Sequence, residues 1–331
     1  MRSDASDVRL LLDRLPAHGL GTRRQWLDAG ATHRMFEDGR LLRVARGLYA
    51  ADGVDVSVER LAALLPEEAV IGGWAAAVAF GFRDAGPAMQ SPTAQPVPAY
   101  LARADHRSPA GFAVRRSTLL PGEQVVVDGV RVTSPARTAY DLARFATGVR
   151  SATGSVDAAR WPGATDPVTP EQLAAMLAAH PNGKGNPQLR SAVELSTGRA
   201  RSFAESDLRV RWVRDADVPP ARLMTNATLH LERGTLELDL VDLSAGLVVE
   251  YDGEHHAASA QRSRDAHKDA VLDDLGLGHV RCNAAELALG AAAFSAWARG
   301  RRAAAIAKGA PERIARLVRS ARLREEPLTL Y

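Results

Sequence analysis

The chain has 331 residues, 46% hydrophobic and 24% charged, with a formal net charge of +3. That length exceeds what one hydrophobic core organises and predicts two or three domains. Ordinary globular usage, no run near the roughly 20 apolar residues of a membrane span, and a lone cysteine, Cys282, exclude a membrane protein, an internal disulfide and a cysteine-cluster zinc site. The first residues, MRSDASDVRL, lack an apolar signal core, so the expected compartment is the cytoplasm.

In chain order, DVRLLLDRL has helical apolar spacing, Thr22 caps a helix that Gly30 stops, and Thr32 caps another that Gly39 stops. RLLRVARGLYAAD then alternates through Leu42, Val44, Leu48 and Tyr49 around a turn at Arg46-Gly47, which predicts a two-stranded wing. Residues 1–52 therefore read as a winged helix-turn-helix. Its third helix offers Thr32, His33 and Arg34 to a DNA groove, and the wing offers Arg43 and Arg46 to phosphates. Glu37 and Asp38 on that helix repel a phosphate backbone, which leaves contact with a protein as the alternative.

Three stretches follow one another: GTRRQWLDAGATHRMFEDGRLLRVARGLYAAD, AVIGGWAAAVAFGF and GVRVTSPARTAYDLAR. In that order they resemble the N-terminal and middle regions of abortive-infection (AbiEi-like) antitoxin-type proteins, over roughly the first 146 residues. The resemblance implies DNA as a partner and a protein partner, a toxin or another defence component. Residues 53–146 read as an α+β domain whose motif is structural: Ser134 caps a helix with Pro135 in its first turn, and Arg137 and Asp141 lie four apart on it.

Residues 147–169 are rich in Gly, Ser, Thr, Ala and Pro and read as a linker or long surface loop, the start of a connector reaching to 200. PEQLAAMLAAH within it is helical, and Gly183-Lys184-Gly185 lacks the other residues of a phosphate loop and reads as a turn.

From Ser202 the pattern sharpens. SFAESDLRVRWV starts a helix with Glu205 at capping-box spacing, a role that accounts for Glu205 by itself. TLHLERGTLELDLVDLSAGLVVEYDG reads as two alternating runs joined by a Ser-Ala-Gly turn, an antiparallel hairpin. Alternation puts Glu237 and Asp239 on one face of the first strand, and Glu250 and Asp252 on one face of the second. Converging carboxylates raise one another's pKa, and a hard divalent cation, Mg2+ or Mn2+, relieves the repulsion. Asp239 and Glu250 interrupt otherwise apolar strands, whereas Glu237, Asp242 and Glu254 are each expected to face solvent.

Asp239, then Glu250-Tyr251-Asp252-Gly253, then His255-His256, then RSRDAHKDAVLDDLGLGHVRCNAAEL as helix, glycine and strand, resemble the short endonuclease-like domains related to very-short-patch mismatch repair nucleases. These belong to the PD-(D/E)XK superfamily, and the likeness spans about residues 201–290. It implies an α/β core, a mixed sheet flanked by helices, and a metal-dependent DNA endonuclease, nickase or double-strand cutter. In that scheme Asp239, Glu250 and Asp252 bind the metal, Glu205 approaches them, and His255 or His256 with Asp265 serves the attacking water. The superfamily's usual lysine two residues after the second carboxylate is Asp252 here. Lys268 on the following helix either supplies that charge or is a structural lysine, and Leu277 stands where an aromatic is common.

Residues 291–331 read as a basic helical tail, solvated or in contact with phosphate. The expected whole is a mixed α/β multidomain protein. Three functional classes stay open: a nuclease, a non-catalytic antitoxin-like DNA-binding regulator with a vestigial nuclease core, and a protein-interaction adaptor in phage defence.

Overall fold

The computed structural model describes residues 8, 10–15, 19–54, 57–83, 95–101, 109–115, 117, 119–253 and 259–326. The fold is mixed α and β, in two compact units: residues 1–146 with 164–186, and residues 147–163 with 187–331. Among the described residues no helix is long and apolar enough to cross a membrane.

The first unit opens with β1 (Leu20–Thr22), α1 (Arg23–Asp28), α2 (His33–Glu37), β2 (Leu41–Ala45) and β3 (Leu48–Ala51). Thr22 and Gln25 form a reciprocal capping box that starts α1, and Gly47 at φ +85° turns β2 into β3. Thr32 precedes α2 without a side-chain cap. β1 adds to the hairpin, giving a sheet ordered β1-β3-β2, and Trp26 is buried with its indole N–H donated to the Tyr49 carbonyl at 2.9 Å.

After α3 (Val58–Ala62), β4 (Val70–Ile71) and α4 (Gly73–Ala79) come β5 (Val97–Tyr100), β6 (Phe112–Arg115), β7 (Gln124–Val127) and β8 (Val130–Thr133). They form a mixed sheet ordered β6-β5-β4-β8-β7. Helix α5 (Pro135–Phe145) starts at the Ser134 cap and holds Arg137, which is 1% exposed. Its guanidinium is bonded to Asp141 at 2.8 Å and Glu123 at 2.5 Å, so a buried cation is fully paired. Helix α7 (Pro170–Ala179) completes this unit.

Between α5 and α7 lies α6 (Val149–Arg160), where composition predicts a linker. Its Gly, Ser and Ala residues are almost all buried in the second unit, and packing of a small-residue face overrides weak helix propensity. A Cβ on Gly154 would sit 2.4 Å from the Phe203 ring, so only glycine permits that approach.

The second unit continues with α8 (Asn186–Leu195), α9 (Phe203–Arg214), β9 (Leu223–His230), β10 (Thr235–Asp242), β11 (Leu247–Asp252), α10 (Ser259–Asp274), β12 (Gly278–Asn283), α11 (Ala284–Ala288), α12 (Ala291–Ala307), α13 (Ala310–Arg319) and β13 (Leu323–Arg324). The expected hairpin is a three-stranded meander, because Leu223–His230 is a strand as well. α10 crosses over to bring β12 parallel to β11, and the sheet runs β12-β11-β10-β9-β13.

Two cores cover it. One gathers Leu208 and Trp212 of α9 and Phe294 and Ala298 of α12 over Leu240, Leu247 and Val249. The other gathers Leu272 of α10 and Ile314 and Leu317 of α13 over Leu238, Val241 and Val248. Residues 291–326, read from sequence as a tail, therefore supply a helix to each core and an edge strand. Asp242, expected at the surface, is fully buried, because it accepts hydrogen bonds from the Trp212 indole at 3.0 Å and from Arg302 at 2.8 Å. Ile314→Ala should cost about 2–4 kcal/mol in urea unfolding, whereas Arg316→Ala on the exposed face should stay within about 0.5 kcal/mol. Equal, small effects would mean that α13 is a tail after all.

Candidate active site

Asp239 sits where the sheet changes its regularity. Main-chain pairing of β10 with β11 runs from Asp242↔Leu247 to Leu240↔Val249 and ends one pair short of Asp239 and Glu250. Leu238 and Leu240 are two residues apart, yet they belong to different cores, so the alternation slips by one at Asp239. Across β9 the matching irregularity is Asn226, at φ +48°. The simple alternation expected along β10 is therefore interrupted between Leu238 and Leu240.

Beyond the last ladder pair the carboxylates take over the backbone donors. The Tyr251 N–H donates to Asp239 Oδ2 at 2.8 Å, and the Asp239 N–H donates to Glu250 Oε1 at 3.3 Å. Lys268 of α10 donates its ammonium to Glu250 Oε2 and to the Glu237 carbonyl at 2.5 Å. Lys268 therefore brings to Glu250 the positive charge that residue 252 lacks. Burial and then the Asp239 charge push the Glu250 carboxyl up to about 7, against the pull of Lys268. Burial also raises Asp239, against the Tyr251 N–H and the charges of Lys268 and Arg201.

Glu205 approaches from the first turn of α9. Its carboxylate does not close the expected capping box on the Ser202 N–H. Instead Oε2 accepts from the Arg201 N–H and the Asn226 side-chain amide, each at 2.8 Å, and Oε1 accepts from the Ser202 hydroxyl at 3.2 Å. Burial, then the charge of Asp239, raises its pKa. Arg201 forks onto the Glu237 carboxylate, with one bond at 2.7 Å, and lies within the field of Glu205 and Asp239.

The other expected members are placed differently. Asp252 is exposed at the end of β11 and takes no part in these bonds. His255 and His256 lie outside the described residues, as does Glu254. Asp265 falls on α10, but its side chain is not among those described. Sequence reasoning missed Arg201 and Asn226. The signal for Asn226 was an asparagine, poor in strands, inside the threonine-rich run of β9.

Among the described residues, no three His, Cys, Asp or Glu side chains close on one point as a metal ion requires. Asp239 and Glu250 nevertheless suit magnesium, which takes one or two carboxylates and completes its shell with water and phosphate. Burial raises the pKa of both, and a dication beside them would favour their charged forms.

At the other end of the chain, Thr32, His33, Arg34, Arg43 and Arg46 are all exposed. Asp38 is paired with Arg40 at 2.7 Å and lies 3.9 Å from Arg34, which partly neutralises the acidity of this helix end. Arg23 donates to His33 Nδ1 at 3.1 Å.

Residues 68–188 match the AbiEi antitoxin C-terminal domain. This bears out the antitoxin-type reading of the middle region, and it extends past residue 146 to include α6 and α7. Residues 237–290, which carry Asp239, Glu250 and Lys268, match a family described as a protein of unknown function, DUF2726. The chain has no significant match among curated proteins.

The pH dependence of stability follows from Glu250. Its folded pKa is raised from an ordinary 4.5, so the folded chain keeps a proton that the unfolded chain releases. That contribution is present in full below the unfolded pKa and is lost as pH rises through about 7. In chelator, the urea midpoint of the wild type should therefore fall between about pH 5 and pH 8 more steeply than that of Glu250→Gln. Parallel curves would show that Glu250 titrates normally.

Proposed function

We propose that the second unit hydrolyses DNA phosphodiesters with magnesium or manganese held by Asp239 and Glu250. The observation that carries this reading is the acidic pair itself, two half-buried residues set where two strands part, with the Lys268 ammonium on one of them. Acidic groups whose pKa values are raised by burial and by one another, set together at one spot, mark a candidate functional site. The likeness of residues 201–290 to very-short-patch-repair-like endonuclease domains points the same way.

In this reading Lys268 holds Glu250 in place and sets a positive charge beside it, in the role usually played by a lysine two residues further on. Arg201 offers a second cation for a phosphate oxygen once it exchanges Glu237 for substrate. Glu205 adds a third acidic group from α9. His255, His256 and Asp265 keep the parts implied by the likeness, the histidine and acid pair serving the attacking water, while Asp252, exposed at the end of β11, lies outside the bonded pair. The cation, when bound, would polarise the phosphate and make a coordinated water more acidic.

DNA is brought to the site by the first module, whose exposed Thr32, His33 and Arg34 face a groove while Arg43 and Arg46 hold phosphates. A second reading is an antitoxin-like DNA-binding regulator with a toxin or defence protein as partner and a core that no longer cuts; the match of residues 68–188 supports its antitoxin-like part alone.

Supercoiled plasmid separates the two. The nuclease reading requires nicking with magnesium or manganese and none in chelator, and a loss of at least about 100-fold in Asp239→Asn with DNA binding retained. An Asp239→Asn protein that cuts as well as the wild type removes the pair from the chemistry. For the first module, Arg43→Ala with Arg46→Ala should lower the slope of log K against log salt by about 2, measured by fluorescence anisotropy on a short duplex. An unchanged slope places the phosphate contacts elsewhere.

A further inference from the structure

We propose that Asn226 is a positioning residue of this site: its side-chain amide, presented by a left-handed backbone turn inside β9, fixes the Glu205 carboxylate toward the Asp239–Glu250 pair. The inference rests on the proposed metal-dependent function and names a residue that the sequence likeness does not include.

The local conformation calls for an explanation. A left-handed residue in mid-strand is unusual, and Asn226 adopts it at 9% exposure, between Thr225↔Leu240 and Ala227↔Leu238 and so opposite Asp239. Backbone strain of this kind persists where the surroundings hold it, and such places cluster at functional sites. Asparagine is among the few side chains that tolerate the conformation, and here both donors of its amide nitrogen are used. Nδ2 donates to the Arg199 carbonyl and to Glu205 Oε2, both at 2.8 Å. The first bond ties β9 to the segment leading into α9, and the second reaches the acid that α9 presents.

Helix capping does not account for the pair. Ser202 already caps α9 by accepting from the Glu205 N–H, and that bond needs neither the Glu205 carboxylate nor Asn226. The carboxylate accepts instead from the Arg201 N–H, the Asn226 amide and the Ser202 hydroxyl, and the register that sets Asn226 opposite Asp239 brings it beside that acid, whose charge adds to burial in raising its pKa. Groups that orient metal-site carboxylates in this way change metal affinity by about 10- to 100-fold when removed.

The test is manganese binding to the full chain by titration calorimetry, with the unfolding midpoint measured alongside. Asn226→Gly keeps the left-handed backbone, which glycine adopts freely, and removes only the amide. It should weaken manganese binding by about 10-fold or more while the chain still unfolds in one cooperative transition, at a lowered midpoint, and Glu205→Gln should weaken binding likewise. If Asn226 acts through Glu205, the double variant binds no more weakly than the weaker single one. Losses that multiply in the double variant, or an Asn226→Gly chain that binds like the wild type, overturn the proposal. Should Asn226→Gly fail to fold, Glu205→Gln decides: unchanged binding there overturns it and weakened binding supports it. A wild-type chain that binds no manganese overturns the metal-dependent reading first and this inference with it, whereas a variant-specific result bears on Asn226 and Glu205 alone.

Discussion

Every backbone N–H in a sheet interior must find an acceptor, and in the second unit this requirement makes the candidate site. Where β10 and β11 part, the donors of Asp239 and Tyr251 are met by side-chain carboxylates in place of ladder carbonyls. The acids thereby complete the sheet and lie in its interior at once. Their exchange of bonds fixes both carboxylates without a metal, while the cores on the two faces fix the strands that carry them. The cost is electrostatic, since Lys268 is the only cation hydrogen-bonded to either carboxylate among the described residues.

Two acids of one strand, three residues apart, sit in opposite electrostatic settings. Asp242 is fully buried but surrounded by donors: the Trp212 indole, the Arg302 guanidinium, the Ser244 hydroxyl at 2.6 Å and the backbone N–H groups of Ser244 and Ala245. It locks the turn between β10 and β11 to helices on one face. Asp239 accepts one backbone bond and has a raised pKa. The strand is thus anchored firmly at one end and held electrostatically unsatisfied at the other, which is where rigid support for a ligand is useful.

The sequence made the local signals legible and the long-range ones obscure. Thr22, Ser134 and Ser202 act as the helix caps that their spacing predicts, Asp239 and Glu250 stood out because they interrupt apolar strands, and Lys268 because residue 252 lacks the expected positive charge. Asp242 carried no such mark, since its partners Trp212 and Arg302 lie 30 and 60 residues away. Residues 147–163 misled for a related reason: glycine and serine signal a loop when exposed and a close helix contact when buried, and burial is decided by the rest of the chain. The slip in alternation at Asp239 lies opposite the left-handed Asn226, a backbone state that no hydrophobic pattern encodes.

The placement of α6 has a topological consequence. The polypeptide passes from the first unit to the second at residue 147, returns at 164 and leaves again at 187. Severing it at any one of these passages leaves each unit intact only if the detached piece stays bound, so neither behaves as a module that can be excised and transplanted by a single cut. During synthesis α6 must wait for α9, some fifty residues further on, before it can bury its face, and the region matched as an antitoxin domain contributes a helix to the interior of its neighbour. Gene fusions that swap one unit while keeping the other would have to exchange two separate stretches at once.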